Sequence, residues 1–407
     1  MTLAAATIEQ ELEKTALITG SEAIAVACKL ADVDVITAYP IRPYDTVMQY
    51  VAKQVANGEH DCEYIVAESE HSQFEIVKHA SAVGARVFCG SSGVGWMYAF
   101  EALTVTPSLR IPMVAMVGNR ALDDPGAFGV EHNDALAVRD LGWQLVWVDS
   151  PQEALDTALI AYRVAEDRRV FLPCAVSCDG AFLTHSQALV KIPAKEKVDA
   201  FLPRYNRGDL LLHPDNPITV APQVNEDWLM EIRRQTAGAM ERASTVIPEV
   251  YAQFEKVFGR HYGNPFFEEF ETEDAEIVLV GMGTLSTPVK VAIRAMRKEG
   301  KKVGFVRVRW FRPFAAEELA KCLGRFSAVG IIDRDFSLGS PYLSGVLATE
   351  VRAAMYPTAK RPPMLDFICG LGGREVTVPA VRQMSDMVYQ AAAGKPQPLT
   401  QWIGLRE

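Results

Sequence analysis

Residues 33–44, V-D-V-I-T-A-Y-P-I-R-P-Y, decide how this chain reads. Val33 to Ala38 form a short apolar strand, and the next six residues place Arg42 between Pro40 and Pro43. Each proline fixes its own φ and drives the preceding residue into extended backbone, so the turn is stiff. In an open α/β sheet, ligands bind just beyond the carboxyl ends of the strands. An arginine held there offers a planar fork to a carboxylate or a phosphate. The bland alternative is a surface arginine in an ordinary strand-to-helix loop.

Outward from this stretch the same rhythm repeats. Helical patterns at 21–31, 44–56, 71–83, 94–105, 134–141 and 151–167 alternate with short apolar strands at 33–38, 63–67, 86–90, 112–117, 144–148 and 170–177. Short, continuously apolar strands between helices indicate a parallel sheet covered on both faces. Residues 185–272 break the pattern with a proline-bearing stretch, F-L-P-R-Y-N-R-G-D-L-L-L-H-P-D-N-P, a helix over about 225–259 and the acidic F-F-E-E-F-E-T-E-D-A-E. A second α/β series follows: strands at 276–280, 303–308, 328–333 and 364–368, and helices at 286–299, 315–323, 343–356 and 378–392. The expected organisation is two doubly wound parallel-sheet domains, 1–184 and 273–407, joined by an extended and helical linker, 185–272.

Length and composition fit such a protein. A chain of 407 residues, 49% hydrophobic and 23% charged, suffices for two cores. The net charge of −10, with no basic run interleaved with aromatics, argues against nucleic acid as a partner. The first residues, M-T-L-A-A-A-T-I-E-Q-E-L-E-K, carry no basic segment ahead of an apolar one, and no apolar run is long enough to cross a bilayer. The expectation is a cytoplasmic protein without a membrane partner. The seven cysteines are odd in number and lack the spacing of a disulfide framework. Cys174 and Cys178 share one face of a strand, yet two thiols do not complete a zinc or iron-sulfur site. They read as small buried hydrophobes, with no metal held by this chain.

Motif chemistry is mostly excluded. Val280-Gly281-Met282-Gly283-Thr284 follows a strand and opens a helix, but Ser286 stands where a dinucleotide fingerprint has its third glycine, and no acid closes the next strand. A structural turn is the better reading. There is no phosphate loop, no H-E-x-x-H and no G-x-S-x-G. Two strand ends besides that of 33–38 carry polar groups. After 63–67 comes Glu68-Ser69-Glu70-His71-Ser72-Gln73-Phe74-Glu75, in which Ser72 and Glu75 have capping-box spacing and Glu70 reads as a helix-start carboxylate. After 112–117 comes Gly118-Asn119-Arg120, then a Gly- and Pro-bearing loop through Phe128-Gly129; Arg120 reads as an anion ligand under a mobile lid, with a solvated loop arginine as the alternative.

In order and spacing these elements resemble the thiamine diphosphate-dependent 2-oxoacid:ferredoxin oxidoreductases. The resemblance covers nearly the whole chain. It rests on Y-P-I-x-P at 39–43, Ser69-Glu70, Ser91-Ser92-Gly93-Val94-Gly95, Arg120-Ala121-Leu122 followed by Phe128-Gly129 and His132-Asn133-Asp134, and Val308-Arg309-Trp310-Phe311-Arg312-Pro313-Phe314. It implies a pyrimidine-binding domain followed by a transketolase C-terminal-like domain. In the family, the glutamate that matches Glu70 bonds the aminopyrimidine ring. A carboxylate there favours the imino tautomer, whose nitrogen removes the thiazolium C2 proton. The family's diphosphate and magnesium motif, G-D-G with a downstream asparagine, has no counterpart here; Gly208-Asp209-Leu210 comes nearest. The resemblance therefore implies thiamine diphosphate shared with a partner subunit, Mg²⁺ and [4Fe-4S] clusters on partner subunits, and ferredoxin as acceptor.

Departures from the family pattern suggest a substrate. Pyruvate-type members carry Y-P-I-T-P, whereas this chain has Arg42 and Tyr44, and its Asp123-Asp124-Pro125-Gly126 loop is longer and more acidic. A buried guanidinium facing a methyl group lacks its counter-charge, so a small dianion, oxalate, is the expected substrate, with pyruvate or another 2-oxoacid as the alternative. An oxalate-oxidising alpha subunit would lose both carbons as carbon dioxide and need no coenzyme A. On this reading Glu70, Arg42 and Arg120 are catalytic. Arg42, Arg120, Phe128 and Asp123 surround the substrate, and Glu70 and Pro40 contact the cofactor. A non-catalytic scaffold subunit is disfavoured, because it has no need of both Glu70 and Arg120 at strand ends.

Overall fold

A computed structural model describes residues 13–122 and 126–406, so Asp123, with Asp124 and Pro125, lies outside the described residues. The strands of the first part are β1 (Lys14–Thr19), β2 (Val35–Ala38), β3 (Glu63–Val66), β4 (Val87–Ser91), β5 (Val114–Asn119), β6 (Gln144–Val148), β7 (Cys174–Asp179) and β8 (Gln187–Ile192). Those of the second are β9 (Phe267–Phe270), β10 (Ile277–Met282), β11 (Val303–Val308), β12 (Trp310–Arg312), β13 (Ala328–Asp333), β14 (Met364–Ile368) and β15 (Thr400–Trp402).

The first sheet has the order β12-β6-β7-β5-β4-β2-β3 and the second the order β15-β14-β13-β10-β11-β9. Each is parallel except at one edge, where β12 and β9 run antiparallel to their neighbours. This is the two-sheet α/β architecture expected from the sequence. β4 to β7 are buried along their whole length, as strands covered on both faces must be. Cys174 and Cys178 sit inside β7, and burial pushes both thiols far up, which makes them inert packing groups.

Three features escaped the sequence reading. β1 and β8 form a separate two-stranded antiparallel sheet. β12 leaves the second part of the chain to extend the first sheet beside β6, so the two sheets are interlocked rather than merely linked. The expected helix at 94–105 is two helices, Gly93–Tyr98 and Phe100–Ser108, and the one at 134–141 shrinks to Asn133–Leu136.

The 185–272 segment also does more than connect. Its helix Glu226–Phe258 lays Thr236, Ala239, Ala243, Val246, Ile247, Val250 and Phe254, a stripe at helical spacing, against the Pro151–Ala165 helix and the core beneath. One hydrophobic core therefore runs unbroken from the first sheet into one face of the second, through Val278, Val280, Val306 and Ile331. No helix among the described residues is long and apolar enough to cross a membrane.

Candidate functional site

The carboxyl ends of four neighbouring strands, β5, β4, β2 and β3, lie side by side, and each is followed by one of the elements singled out above. Because the strands are parallel, their polar loops gather at one edge of the sheet.

Glu70 is the first residue of the Glu70–Ala82 helix. Its cap is Ser69, whose Oγ accepts from the Ser72 amide at 3.2 Å. The capping box expected from Ser72 and Glu75 is not formed. Ser72 Oγ donates to Glu68 Oε1 at 2.6 Å, and Glu75 is held by Lys78 at 2.5 Å. With the cap supplied by Ser69, the Glu70 carboxylate is left for another purpose. Glu70 is only 6% exposed, yet it accepts no hydrogen bond from any described residue. Oε1 points at Gly95, where an added Cβ would lie 2.3 Å away, 2.7 Å from Ile41 Cδ1 and 2.7 Å from Ser91 Oγ. Glycine at 95 thus leaves a small opening walled by Glu70, Ile41 and Ser91. The Ser91 and Ser92 hydroxyls are buried and have no partner among the described residues. Buried polar groups without partners are rare in a finished protein interior. Glu70 and Ser91 share the Gly95 opening, with the acceptor and donor character that an aminopyrimidine requires, so the residues present fit the pyrimidine end of thiamine diphosphate, while Ser92 Oγ lies beside Gly118.

Arg120 follows β5 and is 5% exposed. Its Nη1 donates to the Arg42 carbonyl at 3.0 Å, and its guanidinium lies 4.8 Å from the centre of the Phe128 ring, within cation–π range. Asp134 fixes its backbone. That carboxylate accepts from the amides of Arg120 and Gly93, each at 3.0 Å, from Asn119 Nδ2 at 3.0 Å and from the Ala135 amide at 2.7 Å. Burial pushes the Asp134 carboxyl up to about 6, against the pull of those donors. Neither Asp134 nor Asn119 was singled out as a site residue. The signal was there in His132-Asn133-Asp134, polar residues that follow a buried strand end.

Other expected site residues stand elsewhere. The Arg42 side chain is 81% exposed, with the Asp45 carboxylate 3.8 Å away, so only its carbonyl reaches the site. Ile41, not Arg42, is the turn residue that meets Glu70's neighbours. Phe128 is 71% exposed and stacks on Arg120 instead of closing a wall. Pro40 is exposed and Tyr44 is buried behind β2, its hydroxyl donating to the Thr37 carbonyl at 3.3 Å. Gly208-Asp209-Leu210 is a short exposed 3-10 turn in which Asp209 pairs with Arg168, far in character from a diphosphate loop. Among the described residues, His71, Glu75 and Glu101 form a possible cation cluster, but Lys78 already neutralises Glu75.

Behind the site the two sheets meet through buried charge. Asp179, at the end of β7, accepts from His132 Nε2 at 2.8 Å, Arg334 Nη1 at 2.8 Å, and the Thr284 amide and hydroxyl at 2.9 and 2.5 Å. Burial alone would raise this carboxyl, and His132, Arg334 and Thr284 overcome it and hold it well below the carboxylate range. Thr284 belongs to the Gly281-Met282-Gly283-Thr284 turn, which is therefore a structural seam, as its missing third glycine suggested.

Comparison with known proteins agrees with this geometry. Residues 26–252 match the family described as pyruvate flavodoxin/ferredoxin oxidoreductase, thiamine diphosphate-binding, and residues 275–381 match the pyruvate:ferredoxin oxidoreductase core domain II. The chain belongs to the thiamine diphosphate-dependent 2-oxoacid:ferredoxin oxidoreductases, as an alpha-type subunit. It is 40% identical over 391 residues to the pyruvate synthase subunit PorA of Methanocaldococcus jannaschii, covering 96% of this chain and 98% of that one. It is 38% identical to the ketoisovalerate oxidoreductase subunit VorA of Pyrococcus horikoshii, with the same coverage. The 2-oxoglutarate:ferredoxin oxidoreductase of Magnetococcus marinus shares its fold, with a TM-score of 0.70 at 17% identity over 94% of this chain and 66% of that one.

Proposed function

We propose that this chain is the alpha subunit of a pyruvate:ferredoxin oxidoreductase of the pyruvate-synthase type. The observation that carries the choice of substrate is that only one of the two expected arginines is buried. Arg120 alone, buried within this chain, matches one carboxylate, as in a 2-oxoacid, while the oxalate expectation required a second, desolvated guanidinium, and the Arg42 side chain is exposed on this chain. PorA relatives along the full length of the chain support the same substrate. VorA relatives of equal coverage support a branched 2-oxoacid as the second reading.

Thiamine diphosphate, when bound, supplies the nucleophilic carbon and the electron sink for decarboxylation. Glu70 would hold the protonated ring nitrogen of its pyrimidine, Ser91 would offer that ring a hydroxyl, and Arg120 would orient the substrate carboxylate. The diphosphate, Mg²⁺ and [4Fe-4S] clusters would lie on partner subunits, with ferredoxin as acceptor. Unlike oxalate, pyruvate leaves an acyl group, so coenzyme A becomes a required co-substrate.

The purified complex, assayed with a dye acceptor, should show its highest kcat/KM with pyruvate, dependent on coenzyme A. Higher kcat/KM with 2-oxoisovalerate would select the second reading, and oxalate exceeding both would overturn the proposal. Arg42→Thr bears on the same point. An exposed substitution typically changes free energies by within about 0.5 kcal/mol, so the pyruvate-to-oxalate ratio of kcat/KM should move less than about threefold. A collapse of oxalate turnover in this variant would restore the dianion reading.

A further inference from the structure

We propose that the turn after β14, Gly370-Leu371-Gly372-Gly373, acts as a clasp on Gly129 and Val130 and so sets the position of Arg120 and Phe128, which makes Gly129 a positioning residue for substrate binding. The inference rests on Arg120 holding the 2-oxoacid carboxylate.

The contacts are backbone on backbone. A Cβ at Gly129 would lie 1.8 Å from the Gly372 oxygen, 2.2 Å from its carbonyl carbon and 2.7 Å from the Gly373 nitrogen, so no other residue fits without separating the two segments. The Gly373 amide donates to the Val130 carbonyl at 3.1 Å. The hold continues along the chain. The His132 amide donates to the Arg334 carbonyl at 2.9 Å, Asn133 Nδ2 donates to the Phe336 carbonyl at 2.8 Å, and Asn133 Oδ1 accepts from the Phe336 amide at 3.2 Å.

Two links carry that position to the site. The Ala121 amide donates to the Gly129 carbonyl at 2.8 Å, which ties Gly129 to the residue after Arg120. Phe128, next to Gly129, places its ring against the Arg120 guanidinium. The clasp is not needed to hold the sheets together, because the Asp179 cluster and the exchange of β12 already do so. What it adds is a fixed anchor for the segment that carries the site's buried cation. Small displacements of a positioned group are costly, about 10²-fold for roughly 1 Å.

The test uses the assembled complex with Gly129→Ala, Asn133→Ala and Arg120→Ala, measuring KM and kcat for pyruvate, bound thiamine diphosphate per complex, and the thermal midpoint. The expected result for Gly129→Ala is a KM raised by about tenfold or more, with bound cofactor unchanged and the thermal midpoint lowered only by the loss of the clasp contacts. Asn133→Ala, which removes two hydrogen bonds without a clash, should shift KM the same way and decides the matter if Gly129→Ala does not assemble. If Arg120→Ala raises KM while the other variants keep the wild-type value, or lose activity only in proportion to lost cofactor, the clasp is merely structural and the inference is overturned. If Arg120→Ala leaves KM unchanged, the substrate reading fails first, and the clasp's role in binding falls with it.

Discussion

Replacing Glu70 by glutamine should lower turnover of the assembled complex by roughly 10² to 10⁴, the range for loss of one general acid–base interaction, while thiamine diphosphate and the partner subunits stay bound. The amide keeps the shape of the side chain and removes its charge. The Glu70 carboxylate accepts no hydrogen bond from the described residues, so no internal hydrogen bond is broken. Its contribution as a first-turn acid to the helix dipole is about 0.3 to 1 kcal/mol, too small to unfold the helix that Ser69 caps. A helix-start carboxylate with no other role would show the reverse: a slightly lower thermal midpoint and unchanged turnover.

The second large effect is on stability. Glu153, in the Pro151–Ala165 helix, takes two bonds from Arg307 at 2.7 and 2.8 Å and one from Arg309 at 2.9 Å, across the boundary between the sheets. It also accepts from the Asp149 amide at 2.8 Å, and its own amide donates to Ser150 Oγ at 3.3 Å, a variant of the capping box. Arg307 is fully buried, with Glu268 at 2.9 Å and Asp149 at 3.4 Å as its other carboxylate partners. Glu153→Ala should cost about 3 to 5 kcal/mol, because it removes the shared partner of two buried guanidiniums and leaves their network short of one negative charge. Denaturant unfolding of wild type and variant would measure this, and a loss below about 1 kcal/mol would contradict it. The pH dependence has a definite sign. Burial alone would raise the Glu153 carboxyl, but Arg307 and Arg309 depress it far below its unfolded value of about 4.3. Its stabilisation is then fully present above that value and is lost as the pH falls below it.

Most of the fold was legible because covered parallel strands are apolar throughout, and their lengths and the helices between them leave few alternatives. β1 and β8 were missed because each is half exposed and pairs with a segment far away in sequence. β12 was missed because nothing local tells a strand of three residues which sheet it will join. The Glu153–Arg307 bond left a signal that was not used: arginines at 307 and 309, in or beside an otherwise apolar strand, V-G-F-V-R-V, must meet buried acids.

In the site, Glu70 and Arg120 stand at strand ends, where topology alone directs their side chains toward the shared edge. Arg42 sits in a turn, and turn residues alternate in direction. The sequence could place the guanidinium near the site but could not say that Ile41 would point inward and Arg42 outward. The oxalate reading rested on that step, because it assumed a desolvated charge at Arg42, whose side chain is exposed on this chain.

The most direct test of the central claim, that this chain's Glu70 activates the pyrimidine of thiamine diphosphate, is the exchange of the cofactor's C2 proton for deuterium in the assembled complex. It is followed by acid quench and NMR without substrate. Wild type should exchange fast, and Glu70→Gln should exchange about 10² to 10⁴ times more slowly at equal cofactor occupancy. Equal exchange rates in the two proteins would contradict the account.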